Sequence, residues 1–214
     1  MQKTNWFTEI KKKDFDLDQF VNWIFEDIEM REEMVDQMLT NEQIMVYYHC
    51  FYVIEKASEI QPKAFSAYWE SFITLLDHEN SYHRDFGLIL IANLISVEAK
   101  NKFDKIKEKY FSLINDPKFM TGHCCLKNMG QVLKSRPDLW NEISRMILNL
   151  EVHCTYSEKQ IAVMKADVLD IIAEWINAGN VLAPELAEFI QIQVHSISPK
   201  SRKAAKALAK TFNL

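Results

Sequence analysis

The chain has 214 residues, of which 48% are hydrophobic and 26% are charged, and this composition excludes an intrinsically disordered protein. Its 4 glycines and 5 prolines are too few for the turns of a β-sandwich or barrel and for a glycine-rich nucleotide-binding loop. The formal net charge of −5 does not favour wholesale wrapping of nucleic acid. The sequence therefore predicts an all-α protein.

The cellular compartment is predicted from features that the sequence lacks. Residues 1–30 have neither the apolar stretch nor the small-residue cleavage site of a secretory signal. The most apolar stretch, residues 86–95, is about half as long as the ~20 residues that span a bilayer. The cysteines lack CxxC spacing, which favours reduced thiols; they are Cys50, Cys124, Cys125 and Cys154. We therefore predict a cytoplasmic protein with no membrane segment.

The first predicted element is an amphipathic helix. Its apolar residues fall on one helical stripe: Leu17, Phe20, Val21, Ile24, Phe25 and Ile28. A further apolar face follows the charged run at residues 29–33, either in the same helix or in a second one, and contains Met34, Val35, Met38 and Leu39. We predict that residues 1–40 form an N-terminal helical cap.

Residues 41–214 contain two interleaved series of helix starts with a period of roughly 38 to 41 residues, which indicates repeats in one continuous domain. One series begins near Glu42, Ser81, Lys118 or Phe119, Glu158 and Pro199. The other begins near Pro62, Asn101, Pro137 and Pro184, so that a shorter first helix alternates with a longer second helix. Capping boxes are predicted for Thr40 with Gln43 and for Ser157 with Gln160, and a left-handed C-cap for Gly179 and Asn180.

Several of these residues resemble the HEAT repeat and the related armadillo-like proteins. They are Leu75-Leu76-Asp77, Tyr82-His83-Arg84, Gly87, Leu90, Ala92 and Leu94, and Ile114-Asn115-Asp116-Pro117 resembles the same turn one unit later. The resemblance implies an Asp in the inter-helix turn and an Arg near the start of the second helix; the third unit has Gly122 or His123 there. Because such hairpins must stack to bury their apolar faces, we expect a right-handed α-α superhelix of HEAT-like helical hairpins.

Polar residues recur on the second helices at positions that the core pattern leaves free, and second helices usually line the inner surface of such a stack. The whole set comprises Tyr47, Glu55, Asp85, Asn93, His123, Lys127, Gln131, Lys134, Asp167 and Glu174. Its mixed charge fits a protein or peptide better than a uniform phosphate track. We predict that a protein or peptide partner binds at Tyr47, Asp85, Asn93, His123, Lys127, Gln131 and Asp167. The alternative is a solvated surface without a partner.

The sequence does not favour catalysis or metal binding. Three His-Cys dipeptides occur, at residues 49–50, 123–124 and 153–154. Adjacent helical residues point about 100° apart, however, so such a pair does not converge on one ion. HExxH, GxSxG, Walker-type and GxGxxG motifs are all missing. We therefore predict no cofactor and no metal, and a function that is more plausibly non-catalytic.

The alternative function is DNA binding or repair, because DNA-alkylation-repair glycosylases with stacked HEAT-like helices are similar in architecture and length. No Trp-Trp-Asp-like cluster, which that family uses, is evident among Trp6, Trp23, Trp69, Trp140 and Trp175. Two basic stripes are either solvated or anion-binding; they comprise Lys102, Lys105 and Lys109, and Arg202, Lys206 and Lys210. Core packing is favoured over base stacking for the aromatic cluster of Tyr47, Tyr48, Phe51 and Tyr52. A nucleic-acid partner is thus possible but less favoured.

Overall fold

A computed structural model describes residues 6–98 and 101–214 of the chain. Over these ranges the chain forms thirteen α-helices and no β-strand, which confirms the all-α class. None of the described helices combines the length and the apolar character that crossing a membrane requires. Residues 1–5 of the predicted cap and residues 99–100 of the predicted repeats lie outside the described residues. The chain divides into two compact units, unit 1 (Met1–Ile106) and unit 2 (Lys107–Leu214).

Unit 1 is built around a long central helix, α4. Its helices are α1 (Trp6–Glu9), α2 (Leu17–Glu26), α3 (Ile28–Thr40), α4 (Ile44–Ile60), α5 (Trp69–Thr74) and α6 (Ser81–Leu94). Helices α2, α3 and α6 all pack against α4, so the predicted boundary at residues 40/41 lies within this unit. The break between α2 and α3 falls at Asp27, whose carboxylate accepts a hydrogen bond from the Met30 amide at 3.1 Å and caps α3.

Helix α7 (Lys102–Ser112) crosses the boundary between the units, and six further helices follow it in unit 2. These helices are α8 (Phe119–Ser135), α9 (Trp140–Ile147), α10 (Leu150–His153), α11 (Glu158–Asn177), α12 (Pro184–Gln193) and α13 (Pro199–Phe212). Helix α11 packs against both α8 and α13. Its apolar face is buried, with Met164, Val168, Leu169 and Ile172 inaccessible to solvent.

The helix starts largely confirm the predicted period. Helices α6, α8, α11 and α13 begin at predicted residues, and α4 begins two residues after Glu42. In the other series α7 begins at Lys102, one residue after the predicted Asn101, and α12 begins at Pro184, as predicted. Pro62 and Pro137 begin short 3-10 turns that lead into α5 and α9. Short first helices therefore do alternate with longer second ones.

One of the two predicted capping boxes is wrong. Ser157 and Gln160 form the reciprocal pair at the start of α11, and Gly179 has the expected positive φ of 92° after that helix. Thr40, however, is the last residue of α3, and its hydroxyl donates to the Asp36 carbonyl at 2.9 Å. The N-cap of α4 is Gln43, which makes no capping hydrogen bond through its side chain.

Two inter-helix turns are held by an arginine from the helix that follows. Arg84 Nη1 donates to the carbonyls of His78 and Glu79 at 2.7 and 3.0 Å, just before α6. Arg202 Nη1 donates to the carbonyls of Ser196 and Ile197 at 2.7 and 3.2 Å, just before α13. Both arginines are the fourth residue of their helix. Each satisfies carbonyls that the turn would otherwise leave without a protein donor.

In the turn before α8, the donor to the turn carbonyl is a side chain from another turn instead of an arginine. The fourth residue of α8 is Gly122, where a Cβ atom would lie 2.1 Å from the Tyr156 hydroxyl oxygen. That hydroxyl donates to the Asp116 carbonyl at 2.6 Å. The Asn115 side chain also accepts from the amide and the hydroxyl of Thr155, at 2.8 and 3.0 Å. Two turns forty residues apart are thus joined directly.

Candidate functional site

The best-formed candidate site lies in unit 2, where α8 and α11 run side by side. The candidate residues on α8 are His123, Lys127, Gln131 and Lys134, and their spacing of three or four residues places them on one helical face. Gly130 lies beside this face, and a Cβ atom there would lie 3.0 Å from Cγ1 of Ile171 on α11. A glycine at this position therefore permits the close approach of the two helices.

A buried ion cluster joins the two helices to α13. Asp167 of α11 is only 6% exposed. One of its carboxylate oxygens is hydrogen-bonded to Nε2 of His123, and the other accepts from Nζ of Lys200 at 3.0 Å. The His123 ring also stacks on Phe119 at a centroid distance of 5.6 Å, which fixes its orientation. Three helices thus contribute one side chain each to the cluster.

The partners of Asp167 decide its charge state. Burial by itself raises the pKa of this carboxyl group, but the hydrogen bonds from His123 and Lys200 outweigh burial and hold the pKa below its ordinary value. Asp170, one turn further along α11, has a raised pKa because of partial burial and the nearby charge of Asp167. Asp170 makes no hydrogen bond or ion pair with any described residue, so its negative charge faces solvent.

Two adjoining cavities form a groove along α8 and α11. The smaller cavity, of about 380 Å³, is lined by polar residues that include Lys127, Asp170 and Lys200. The larger, of about 710 Å³, is lined by more apolar residues that include Leu133, Pro137 and Trp175. Both cavities share the lining residues Gly130, Lys134, Ile171 and Glu174. We call the two together the α8–α11 groove; it is charged at one end and apolar at the other.

An ion pair bridges the groove where the two cavities meet. Nζ of Lys134 lies 3.3 Å from a carboxylate oxygen of Glu174, and both side chains are 56% exposed. Exposed pairs of this kind contribute only about 0–1 kcal/mol, because water competes with both partners. A ligand that enters the groove therefore has little to overcome in separating Lys134 from Glu174.

Four of the predicted binding residues come together at this groove. His123 and Asp167 form the ion cluster, while Lys127 and Gln131 line the smaller cavity. The sequence analysis did not place Lys200 or Trp175 at the site. Lys200 belongs to a basic stretch, and only the packing of α13 against α11 brings it to Asp167. Lys200 follows Asp167 by 33 residues, so the repeat period of about 40 residues does not lead to it.

The three predicted residues in unit 1 are placed differently. Tyr47 is 4% exposed and packs against the rings of His83 and Phe86. Asn93 is 9% exposed and donates to the Ser58 hydroxyl at 3.0 Å. Both side chains are therefore part of the interior packing of unit 1. Asp85 is half-buried on α6.

The sequence patterns did not reveal a contact between two tryptophans. The rings of Trp140 and Trp175 stack in parallel, with centroids 4.1 Å apart and planes at 3°. One ring belongs to the series of shorter helices and the other to the series of longer ones, so superposing repeats within one series does not reveal the contact. Trp175 also lines the larger cavity of the groove, where it offers an aromatic wall.

The thiols and one residue of each basic stripe occupy structural positions. Three of the four free cysteines are buried and Cys124 is half-buried; burial raises the pKa of Cys50 to about 12 and that of Cys125 well above its ordinary value. In the basic stripes, Arg202 Nη1 holds the turn before α13, and Nζ of Lys102 pairs with Glu70 at 2.9 Å. These two side chains are therefore engaged within the protein.

The chain was also compared with known proteins. No protein-family model, no curated protein and no solved structure matches it significantly.

Proposed function

We propose that the protein is a non-catalytic interaction module of HEAT-like helical hairpins, and that the α8–α11 groove binds an extended peptide segment of a protein partner. The observation that carries this proposal is the continuity of the two cavities along the groove. From Asp167 to Ala178 the groove follows eleven residues of α11, which is about 16 Å of helix. That length matches about five residues of extended chain.

The groove's lining supports a peptide over other ligands. Its apolar end has the aromatic and aliphatic character that anchors side chains in protein interfaces, and its charged end presents both signs. A phosphate backbone fits less well, because exposed carboxylates of Asp170 and Glu174 line the same groove and would repel it. The alternative of a DNA-binding or repair protein therefore receives less support than a peptide-binding module.

The HEAT-like character is supported by the turns. Arg84 and Arg202 occupy the helix position that the resemblance assigns to an arginine, and each holds the turn that precedes its own helix. The hydrogen bonds between the turns at Asn115 and Thr155 join neighbouring hairpins of unit 2 at a spacing of forty residues. Stacked hairpins use second helices as a continuous surface, and the groove lies between two of them.

The proposal is tested by selecting binders from a displayed library of random peptides and measuring their affinity by fluorescence anisotropy. The groove variant combines Lys127→Glu, Asp170→Lys and Ala178→Trp, which reverses two exposed charges and fills the apolar cavity. The control variant combines Lys159→Glu and Glu185→Lys, both exposed and outside the two cavities. We expect the groove variant to bind at least ~10-fold more weakly, and the control to bind as the wild type does. Selected peptides that bind all three proteins equally would refute the groove.

A further inference from the structure

Unit 1 carries an exposed aromatic surface that the proposed groove in unit 2 does not use. The ring of Tyr48 lies 5.6 Å from the ring of Tyr52 and 5.1 Å from that of Tyr82, measured between centroids. Tyr52 is 42% exposed and Tyr82 is 47% exposed. Large aromatic side chains exposed side by side are uncommon on a surface that only meets water, and tyrosine is enriched at protein interfaces.

Carboxylates continue this surface along α4. Glu55 follows Tyr52 by three residues and Glu59 follows Glu55 by four, so all three lie on one face of the helix. Neither carboxylate forms a hydrogen bond or an ion pair with any described residue. We call the surface formed by Tyr48, Tyr52, Tyr82, Glu55 and Glu59 the tyrosine face.

The electrostatics of the tyrosine face favour a cation. Residues 1–62 contain 6 basic and 13 acidic residues. Partial burial and the charge of Glu59 raise the pKa of Glu55 to about 7, and its carboxylate forms no ion pair with any described residue. Burial and the neighbouring phenols and Asp85 raise the pKa of Tyr48 to about 12, which keeps its hydroxyl protonated. Neutral phenol rings attract cations over their faces.

The size of the surface favours a peptide over a small cation. From Tyr48 to Glu59 the tyrosine face follows eleven residues of α4, or about 16 Å of helix. Exposed hydrophobic side chains of Ile44 and Met45 extend it by a further turn. Arginine suits this surface better than lysine, because a planar guanidinium group stacks on an aromatic ring and pairs with a carboxylate at the same time.

We propose that the tyrosine face binds an arginine-bearing peptide segment, with guanidinium groups stacked on Tyr52 and Tyr82 and paired with Glu55 and Glu59. This surface lies within unit 1 and does not depend on the α8–α11 groove. The arginines would supply a positive partner to Glu55 and Glu59, whose carboxylates form no ion pair with any described residue.

The test measures binding of a fluorescein-labelled peptide that carries three arginines separated by Gly-Ser, at pH 8 and about 50 mM salt. A matched peptide carries citrulline, which has the shape of arginine without its charge. We expect the arginine peptide to bind and the citrulline peptide to bind at least ~10-fold more weakly. Equal binding of the two peptides, or no binding of the arginine peptide at protein concentrations up to about 1 mM, would overturn the proposal.

Paired variants separate the tyrosine face from general negative charge. Tyr52→Leu with Tyr82→Leu should weaken binding about 10-fold, whereas Tyr52→Phe with Tyr82→Phe keeps the ring faces and should retain it within about twofold. Glu55→Gln with Glu59→Gln should weaken binding about 10-fold. Glu32→Gln with Asp36→Asn removes the same charge from exposed positions on α3 and should have less than about a twofold effect. An equal loss for both carboxylate pairs would overturn the proposal.

Discussion

Glu55 in unit 1 and Asp167 in unit 2 both belong to the set of polar residues that recurs on the second helices. Their surroundings nevertheless shift their pKa values in opposite directions. Asp167 is almost fully buried and is hydrogen-bonded to His123 and Lys200, which keep its pKa low. Glu55 is only partly buried, has no cationic partner, and has its pKa raised to about 7. The partners of a carboxylate, more than its burial, therefore determine whether it is ionised at neutral pH.

The two carboxylates also differ in role: one links helices within the protein, and the other can bind a partner. Asp167 is hydrogen-bonded to His123 and Lys200, so its charge contributes to holding α8, α11 and α13 together. The Glu55 carboxylate forms no ion pair with any described residue, so a cationic partner can pair with it. The same set of polar residues thus contains both a carboxylate that links helices and a carboxylate that a partner could contact. Substitution of the first should mainly change stability, and substitution of the second should mainly change binding.

The largest expected effect is that of Asp167→Asn. The substitution keeps the size of the side chain but removes a buried charge that is hydrogen-bonded to His123 and Lys200, and we expect a loss of about 2 kcal/mol in the free energy of unfolding. Urea unfolding followed by circular dichroism at pH 7 measures it. Asp170→Asn, one turn away and exposed, should change stability by less than about 0.5 kcal/mol. Equal effects of the two variants would show that the ion cluster does not stabilise unit 2.

The stability difference between the wild type and Asp167→Asn should depend on pH. A carboxyl group whose folded-state pKa is lowered stabilises the fold above its unfolded value of about 3.9, and this stabilisation is lost as the pH falls through the folded-state pKa. The difference should therefore shrink as the pH falls below about 4. Calorimetric melting of both proteins measures it; a difference that is undiminished at pH 3 contradicts the assignment.

Glu55→Gln should act in the opposite direction. The raised folded-state pKa means that Glu55 stabilises the fold below about pH 4.5 and that this stability is lost as the pH rises through about 7. Because the side chain is partly exposed, we expect the variant to be more stable than the wild type by only about 1 kcal/mol at pH 8, and equal to it at pH 4. Urea unfolding at the two pH values measures this, with Glu32→Gln as a control that should show no such change.

The smallest expected effect is that of Lys134→Met. It removes the exposed ion pair with Glu174 across the α8–α11 groove, and we expect the free energy of unfolding to change by less than about 0.5 kcal/mol. The same urea titration at pH 7 measures it. A loss above about 1 kcal/mol would mean that exposed pairs matter here as much as the buried cluster, and the contrast between Asp167 and its exposed neighbours would no longer hold.

The sequence predicted helix boundaries well because their signals are local. Proline is suited to the first turn of a helix, and Pro62, Pro137, Pro184 and Pro199 all begin a helical segment. The capping box predicted at Thr40 was wrong because a threonine hydroxyl can also donate to a carbonyl four residues earlier within its own helix. Residue spacing cannot distinguish these two arrangements.

Prediction of the candidate site was less complete because it depends on which helical face meets the core. The residues on α8 lie three or four apart and share a face. On α4, apolar residues occupy most of the circumference, so the pattern did not reveal which tyrosine would be exposed. One residue of helix is about 100° of rotation, and this is the difference between buried Tyr47 and partly exposed Tyr48. The pairing of Lys200 with Asp167 required the packing of α13, which no local pattern contains.

The turn before α8 makes the hairpins of unit 2 non-interchangeable. A hairpin that carries its own arginine, as before α6, is a self-contained module that brings its turn donor with it. The hairpin that ends in α8 instead needs a tyrosine from the following hairpin, and Gly122 leaves the space into which that tyrosine fits. Recombination or design that shuffles, duplicates or grafts these hairpins must therefore move both hairpins together, because the Tyr156 of one fits only against the Gly122 of the other.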